Sequence, residues 1–236
     1  MHRMIEPSIL YFGTPVVLIT TQNEDQTTNI APMSSVWWLG WSCMLGLDAS
    51  SQTSANLKRT GECVLNLASA DLVSSVDKLA MLTGSKKLPL HKKKLGYSYE
   101  PDKFGAAGFS PIASDLVAPP RIAECKIQLE GVVSGIHVFG AQDPKMAVPT
   151  KAFEVSIQRV HAAADLQVEG HPNRIDPDKW NPLIMNFRNF YGTSTQLHSS
   201  ALARGPEEAY APWKIGGFKG VATRAVLNVA SAKFRK

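Results

Sequence analysis

The chain has 236 residues, 44% of them hydrophobic and 19% charged, with a formal net charge of +5 at neutral pH. That balance excludes a disordered chain and gives length enough to bury a core without disulfide or metal staples. The mild positive charge suits solubility or attraction for anionic nucleotides, and no ordered array of basic and aromatic residues argues for nucleic acid.

The N-terminal stretch MHRMIEPSILYFGTP has neither a long apolar run nor a small-residue cleavage site, so no signal peptide is expected. Residues 16–21 are a β-branched run after Gly13-Thr14-Pro15 and predict a barrel strand. Asn23-Glu24-Asp25-Gln26 is turn-like and pairs that strand with the next as a hairpin. On the second strand Asn29, Ala31, Met33, Ser35 and Trp37 share one face; Ile30, Pro32, Ser34, Val36 and Trp38 share the other. Pro32 removes a ladder donor, which predicts an edge or a bulge. A third strand alternates Cys43, Leu45 and Leu47 with Ser42, Met44 and Gly46. The most apolar window, 36–47, is too short to cross a bilayer and is interrupted by Gly40 and Ser42, so no membrane partner is expected.

A hydroxyl-rich loop, Ala49-Ser50-Ser51-Gln52-Thr53-Ser54, then opens a helix over 54–60, followed by a strand over 63–68. A second helix is predicted over 72–82, with Leu72, Val76, Leu79 and Ala80 on one stripe. Residues 84–104 are basic and turn-rich, holding Lys86, Lys87, His91, Lys92, Lys93 and Lys94. They read either as a solvated face or as a mobile lid that steers a phosphorylated nucleotide. Over 122–133, Glu124, Lys126, Gln128 and Glu130 alternate with Cys125, Ile127, Leu129 and Gly131, predicting one wet and one buried face. Strands over 132–139 and 153–162 continue the sheet, and about six strands with short helices fit a small antiparallel barrel.

Beyond residue 165 the chain changes character. Asp176 and Pro177 read as the cap and first turn of a helix, Trp180, Leu183, Ile184, Phe187 and Tyr191 fall at helical spacing, and Gly192 closes it. A last helix is predicted over 221–234, with Lys233, Arg235 and Lys236 at its favourable end. The division expected is a barrel domain over 1–165 and a helical C-terminal extension over 166–236, packing on the barrel or on a dimer partner. Cys43, Cys63 and Cys125 lie in apolar runs without a C-x-x-C pair, which suits buried, reduced thiols in a cytoplasmic protein.

The chain has no G-x-S-x-G, H-E-x-x-H, paired-Cys metal pattern, G-x-x-x-x-G-K-[ST] or G-x-G-x-x-G. No catalytic side chain and no metal are therefore expected, and redox chemistry would belong to a cofactor that the protein binds and tunes. Polar groups concentrate in residues 28–56. Ser50, Ser51, Gln52, Thr53 and Asn56 flank a helix start, whose spare N–H groups and positive dipole end favour a phosphate; the same residues also serve as plain caps. Asn29, Ile30 and Ala31 offer backbone and amide groups to the edge of a planar heterocycle. Ser34 and Ser35 add hydroxyls, or satisfy a strand end. Trp37, Trp38 and Trp41 suit a core or dimer interface, with Trp37 also placed to flank a ring. Phosphate at one end and a flat ring at the other point to flavin mononucleotide.

Four runs, in order PVVLITT, TNIAPMSS, SSQTSANLKRTGECVLNL and DKFGAAGFSPIASDLVAPPRIAECKIQLEG, resemble the flavin reductase-like proteins over residues 10–165. The resemblance implies a mainly β fold, an FMN-binding split β-barrel of Greek-key type with peripheral helices, usually a homodimer with its flavin near the subunit boundary. It implies that the loop after the third strand grips the FMN phosphate, Thr53 being the best match, and that Lys103 approaches it. A lone lysine is otherwise a surface charge. NADH or NADPH is the implied donor, bound without a Rossmann unit and passing hydride to flavin N5. Three roles follow: an NAD(P)H-dependent flavin reductase, a flavoredoxin-like carrier with permanently bound FMN and a redox partner protein, or a flavoenzyme acting on an organic substrate. The family's G-x-H turn has no well-spaced match, Gly135-Ile136-His137 being the nearest, so His137 is assigned no ring contact.

Overall fold

The computed structural model describes residues 1–7, 9–143, 149–193 and 195–198. The chain divides into two compact units, Met1–Ser194 and a second beginning at Thr195; every strand and helix described lies in the first.

The chain enters through β1 (Phe12–Pro15) and β2 (Val17–Gln22), turns at residues 23–27 and returns as β3 (Thr28–Met33). Asn23 N–H closes the turn on the Thr27 carbonyl at 2.8 Å, with Gln26 in the left-handed region. The long second strand expected from the sequence breaks at Ser34-Ser35 and resumes as β4 (Val36–Leu39), followed by β5 (Ser42–Asp48). Next come α1 (Gln52–Thr60) and β6 (Glu62–Leu67), joined by Gly61 at φ 71°, a conformation that glycine adopts without a Cβ penalty. A single 3₁₀ turn leads to α2 (Val73–Leu79), shorter than predicted because Leu82 and Thr83 form β7 (Leu82–Thr83). The excursion that follows carries α3 (Leu90–Lys94) and closes at β8 (Ser98–Tyr99). Then α4 (Lys103–Ala107), β9 (Pro111–Ile112) and β10 (Arg121–Ile122) lead to the two long strands, β11 (Ile127–Phe139) and β12 (Thr150–Ala162).

Seven strands form one antiparallel sheet in the order β3-β2-β6-β11-β12-β5-β4. Spatial neighbours such as β2 and β6, or β12 and β5, are remote in the chain, which is Greek-key connectivity, and the protein is a split β-barrel. Alternation along β2 explains the two cores. Val17 and Ile19 face a cluster with Leu45, Leu65, Phe153 and Val155; Leu18 faces another with Ile30, Val76, Leu79 and Leu183. β3 is an outer strand of the sheet, where Pro32 costs no ladder bond that a neighbour needs. Cys43 and Cys63 belong to the first core and Cys125 to the second, all as free thiols. Burial pushes Cys43 up to about 12 and raises the other two as well.

Two expectations are corrected. The first concerns the wet face of the 122–133 strand. That strand is interrupted after β10, and Gln128 and Glu130 are buried beneath the 113–121 loop. Glu130 is fully buried in the middle of β11, its Oε1 accepting the Asp115 N–H at 2.9 Å and its Oε2 the Leu116 N–H at 2.6 Å. His161 Nε2 lies 2.6 Å from Oε1, and Arg121 Nε lies 4.0 Å away. Burial works to raise the Glu130 pKa, but these donors outweigh it and hold the carboxyl below its ordinary range. A charged side chain expected to face water is thus buried, because the loop above it supplies donors that water would otherwise supply.

The second correction concerns the helix expected over 176–191. The chain there forms strands: β13 (Gln167–Val168), β14 (His171–Ile175), β15 (Leu183–Asn186) and β16 (Asn189–Gly192). Pro182 falls where the helix interior would be and removes a donor, while Asn181 before it is biased away from helical angles. β15 instead pairs with β1, and Leu183 exchanges backbone bonds with Val16 and Ala68 at 2.8 and 2.9 Å. Phe187, at φ 55°, turns β15 into β16. The helical spacing of the aromatic stripe was coincidental: Leu183, Met185 and Phe190 join the second core, and Trp180 packs on the first. The helix expected over 221–234 lies outside the described residues.

Candidate functional site

The site is built where β3, β5, α1 and α4 converge. Asp48 ends β5, and its Oδ1 accepts both the Ser50 N–H at 2.8 Å and the Ser50 hydroxyl at 2.6 Å, bending the chain into α1. Ser51 is the N-cap: its Oγ accepts the Ser54 N–H at 3.1 Å, while its carbonyl accepts the Ala55 N–H at 3.0 Å. Those two bonds leave the first-turn N–H groups of Gln52 and Thr53 for a ligand or water. Gln52 donates to Asn56 Oδ1 at 2.9 Å, and Asn56 donates to Thr21 Oγ1 and Asn23 Oδ1 at 3.0 and 2.8 Å. Asn56 is therefore an internal brace between α1 and the β2–β3 hairpin.

Beside that helix start lies a buried cation. Lys103, the first residue of α4, is only 3% exposed. Its ammonium donates to Asn29 Oδ1 at 3.0 Å and to the Ile30 carbonyl at 2.8 Å, and among the described residues no carboxylate pairs with it. Asn29, also buried, passes its own amide N–H to Thr53 Oγ1 at 3.0 Å. Burial lowers the Lys103 pKa to about 8, with the nearby Lys92 charge acting in the same direction. A charge withdrawn from water and hydrogen-bonded only to neutral oxygens is costly, offset in part here by the Glu100 charge, and such groups are candidate sites for a counter-charge. Gly84 completes the cradle, since a Cβ there would collide with Asn29 Oδ1.

The residues singled out in the sequence therefore separate into two groups. Asn29, the Ile30 carbonyl, Gln52, Thr53, Asn56 and Lys103 come together with Ser50 and Ser51 at one end of β3. Ala31 is two residues further along, about 7 Å at the usual strand rise. Ser34, Ser35 and Trp37 lie beyond, at the β3–β4 corner, where Ser35 Oγ is 2.8 Å from the Tyr11 hydroxyl and Trp37 is 56% exposed. Sequence reasoning missed Asp48 and Gly84, and it placed His91 and Lys92 in the basic segment without foreseeing that they turn inward. Of these, Asp48 had a local signal, an Asx-type residue two before a serine at a helix start.

The family model described as "Flavin reductase like domain" matches residues 9–194. The chain belongs to the flavin reductase-like family. An uncharacterised Bacillus subtilis (strain 168) protein, YdfE, is 40% identical over 195 residues, covering 83% of this chain and 91% of that one. Among solved structures, the flavoredoxin of Desulfovibrio vulgaris (Miyazaki F) superposes with a TM-score of 0.67 at 18% identity, over 87% of this chain and 100% of the other. Nitrilotriacetate monooxygenase component B from Bacillus cereus gives 0.66 at 17%, over 84% and 99%. Membership of the family implies a flavin cofactor. Among the described residues, the first-turn N–H groups of Gln52 and Thr53, nearby hydroxyls, an amide and an ammonium with no paired carboxylate form a donor set that would fit a phosphate. Among the described residues no helix is long and apolar enough to cross a membrane.

Proposed function

We propose that this flavin reductase-like protein binds FMN and works as an NADH- or NADPH-dependent flavin reductase in the cytoplasm. The observation that carries the reading is the Lys103 ammonium, buried against neutral acceptors beside the open N-terminus of α1. Lys103, Thr53 and the Gln52 and Thr53 N–H groups hold the phosphate, a single group that selects FMN over riboflavin. The backbone of Ile30 and Ala31 lies toward the ring, with Ser34, Ser35 and Trp37 further along, and they orient it by hydrogen bonds and contact. A bound flavin supplies the hydride-accepting chemistry at its N5; the protein supplies binding, orientation and dipoles. A second copy of the chain covers the apolar edge where Leu39 is 77% exposed beside Trp37 and Trp41, making a homodimer.

FMN and riboflavin titrations followed by flavin fluorescence test the phosphate site: tighter FMN binding is expected, and equal affinity sinks the assignment. NADH and NADPH oxidation with and without free FMN tests the activity. Saturation by free flavin is the reductase outcome; no turnover until a protein partner is added would instead make the protein a flavoredoxin-like carrier. Sedimentation at micromolar concentration tests the dimer, and a monomer there removes it.

A further inference from the structure

Between β7 and β8 the chain leaves the barrel for residues 84–97, and a parallel ladder pairing Leu82 with Ser98 and Thr83 with Tyr99 pins the two ends of this excursion together. Of its basic residues Lys86, Lys87, Lys93 and Lys94 are exposed, but His91 and Lys92 turn inward. Both reach one oxygen: His91 Nε2 lies 2.9 Å from Asp48 Oδ2 and Lys92 Nζ 3.6 Å from the same atom, with Tyr97 beneath the ammonium at 5.9 Å from its ring centre. The other Asp48 oxygen holds Ser50, and the Asp48 carbonyl accepts the Ser51 N–H and the Ser54 hydroxyl at 3.0 and 2.7 Å. One aspartate therefore ties the basic excursion to the loop that opens α1.

We propose that Lys92 is a second cation for the flavin phosphate, kept on Asp48 in the ligand-free protein and passed to the phosphate when FMN binds. This rests on the FMN reading above. Three features support the transfer. The Asp48–His91 contact is the shorter one, so the excursion stays anchored when Lys92 lets go. The Lys92 charge works with burial to lower the Lys103 pKa, and a bound anion relieves that opposition. A phosphate monoester carries nearly two negative charges at neutral pH, so a single lysine leaves one unmatched. His91 shields the Asp48 carboxylate that would otherwise repel the incoming anion. Asp48 and His91 are positioning residues, and Lys92 is the ligand contact.

The test uses the full-length chain and its Lys92→Met and Lys92→Arg variants, each first shown by urea unfolding to be folded. Titration with FMN and with riboflavin is paired with trypsin digestion, since the excursion is rich in lysines. Lys92→Met is expected to weaken FMN about tenfold, the usual scale for one hydrogen bond to a charged group, and to leave riboflavin within about twofold. Lys92→Arg keeps the charge and is expected to keep the FMN preference. FMN, but not riboflavin, should slow cleavage after Lys93 and Lys94 in the unaltered protein, and Lys92→Met should abolish that protection. An unchanged FMN affinity in Lys92→Met overturns the transfer, as does an equal fall for both flavins. Failure of the underlying phosphate site looks different: the unaltered protein itself would bind FMN and riboflavin alike.

Discussion

Lys103 and Glu130 are both charged side chains withdrawn from water, and the protein treats them in opposite ways. Glu130 is matched by two backbone N–H groups and His161, with Arg121 further off, all from its own chain. Among the described residues, Lys103 receives an amide oxygen and a carbonyl and no paired carboxylate. The first arrangement is complete and fastens the 113–118 loop to β11; the second is incomplete, and in the function proposed above an anion from outside finishes it. How fully the chain itself answers each buried charge distinguishes Glu130 from Lys103, even where exposure alone ranks them together.

Removing Glu130 tests the complete case and should give the largest effect. Glu130→Ala leaves His161 and two N–H groups without their acceptor, and a loss of about 3–5 kcal/mol in urea unfolding is expected, the usual cost of breaking a buried ionic cluster from one side. FMN affinity, measured on protein that remains folded, should move less than about twofold; a large specific loss would join Glu130 to the flavin site. Lys103→Met is the reciprocal change. It deletes an incompletely matched charge, so stability should hold or rise, while FMN affinity falls by about 1.5–3 kcal/mol, or tenfold and more. A drop in stability with unaltered FMN binding would make Lys103 a structural residue like Glu130.

Thr53→Ala sharpens the picture at smaller scale. Ser51, not Thr53, is the N-cap, so the helix keeps its cap and loses only the Asn29 bond, worth about 0.5–1.5 kcal/mol. FMN affinity should fall roughly tenfold with riboflavin little changed, because a hydrogen bond to a charged group is the one removed. Equal falls would mean that Thr53 shapes the loop without touching the phosphate.

The smallest effects are in pH. The Lys103 pKa is lowered, so between about 8 and its ordinary value the unfolded chain holds more protons there. Its contribution to stability therefore rises with pH across that window, while FMN affinity falls as the ammonium discharges. Lys103→Met should flatten that alkaline fall; a fall that persists belongs to another group. Glu130 acts in the same sense but at the acid end. Its depressed pKa gives stability that is present above the unfolded carboxylate value and is lost as pH drops through the folded one. Glu130→Gln should therefore blunt the acid limb of an unfolding curve measured by circular dichroism.

What the sequence made legible follows from range. The hairpin at 23–27, the helix after Ser51 and the edge position of Pro32 are set by neighbours a few residues away, and the structure agrees with the reading. The contact of Asn29 with Lys103 was not legible: sequence reasoning sends Asn29 toward the ring and Lys103 toward the phosphate, and their 3.0 Å contact spans 74 positions, farther than any spacing rule reaches. The burial of Glu130 was hidden because its partners are backbone groups of a loop, which carry no side-chain signature. The 176–191 segment misled because apolar spacing suggested a helix, while Pro182 and the open flank of β1 decided for strands. Asp48 went unnoticed because its two tasks belong to elements separated by the whole of β6 and α2.

The three buried thiols carry a practical consequence. Cys43, Cys63 and Cys125 are shut inside the two cores, and burial keeps them protonated. A disulfide reagent reacts with thiolate, so its colour change can advance only as fast as the barrel opens to solvent. The chain therefore carries its own clock for unfolding, with no engineered label, and the rate at which that clock runs ranks the Glu130 and Lys103 variants in a cuvette under native conditions.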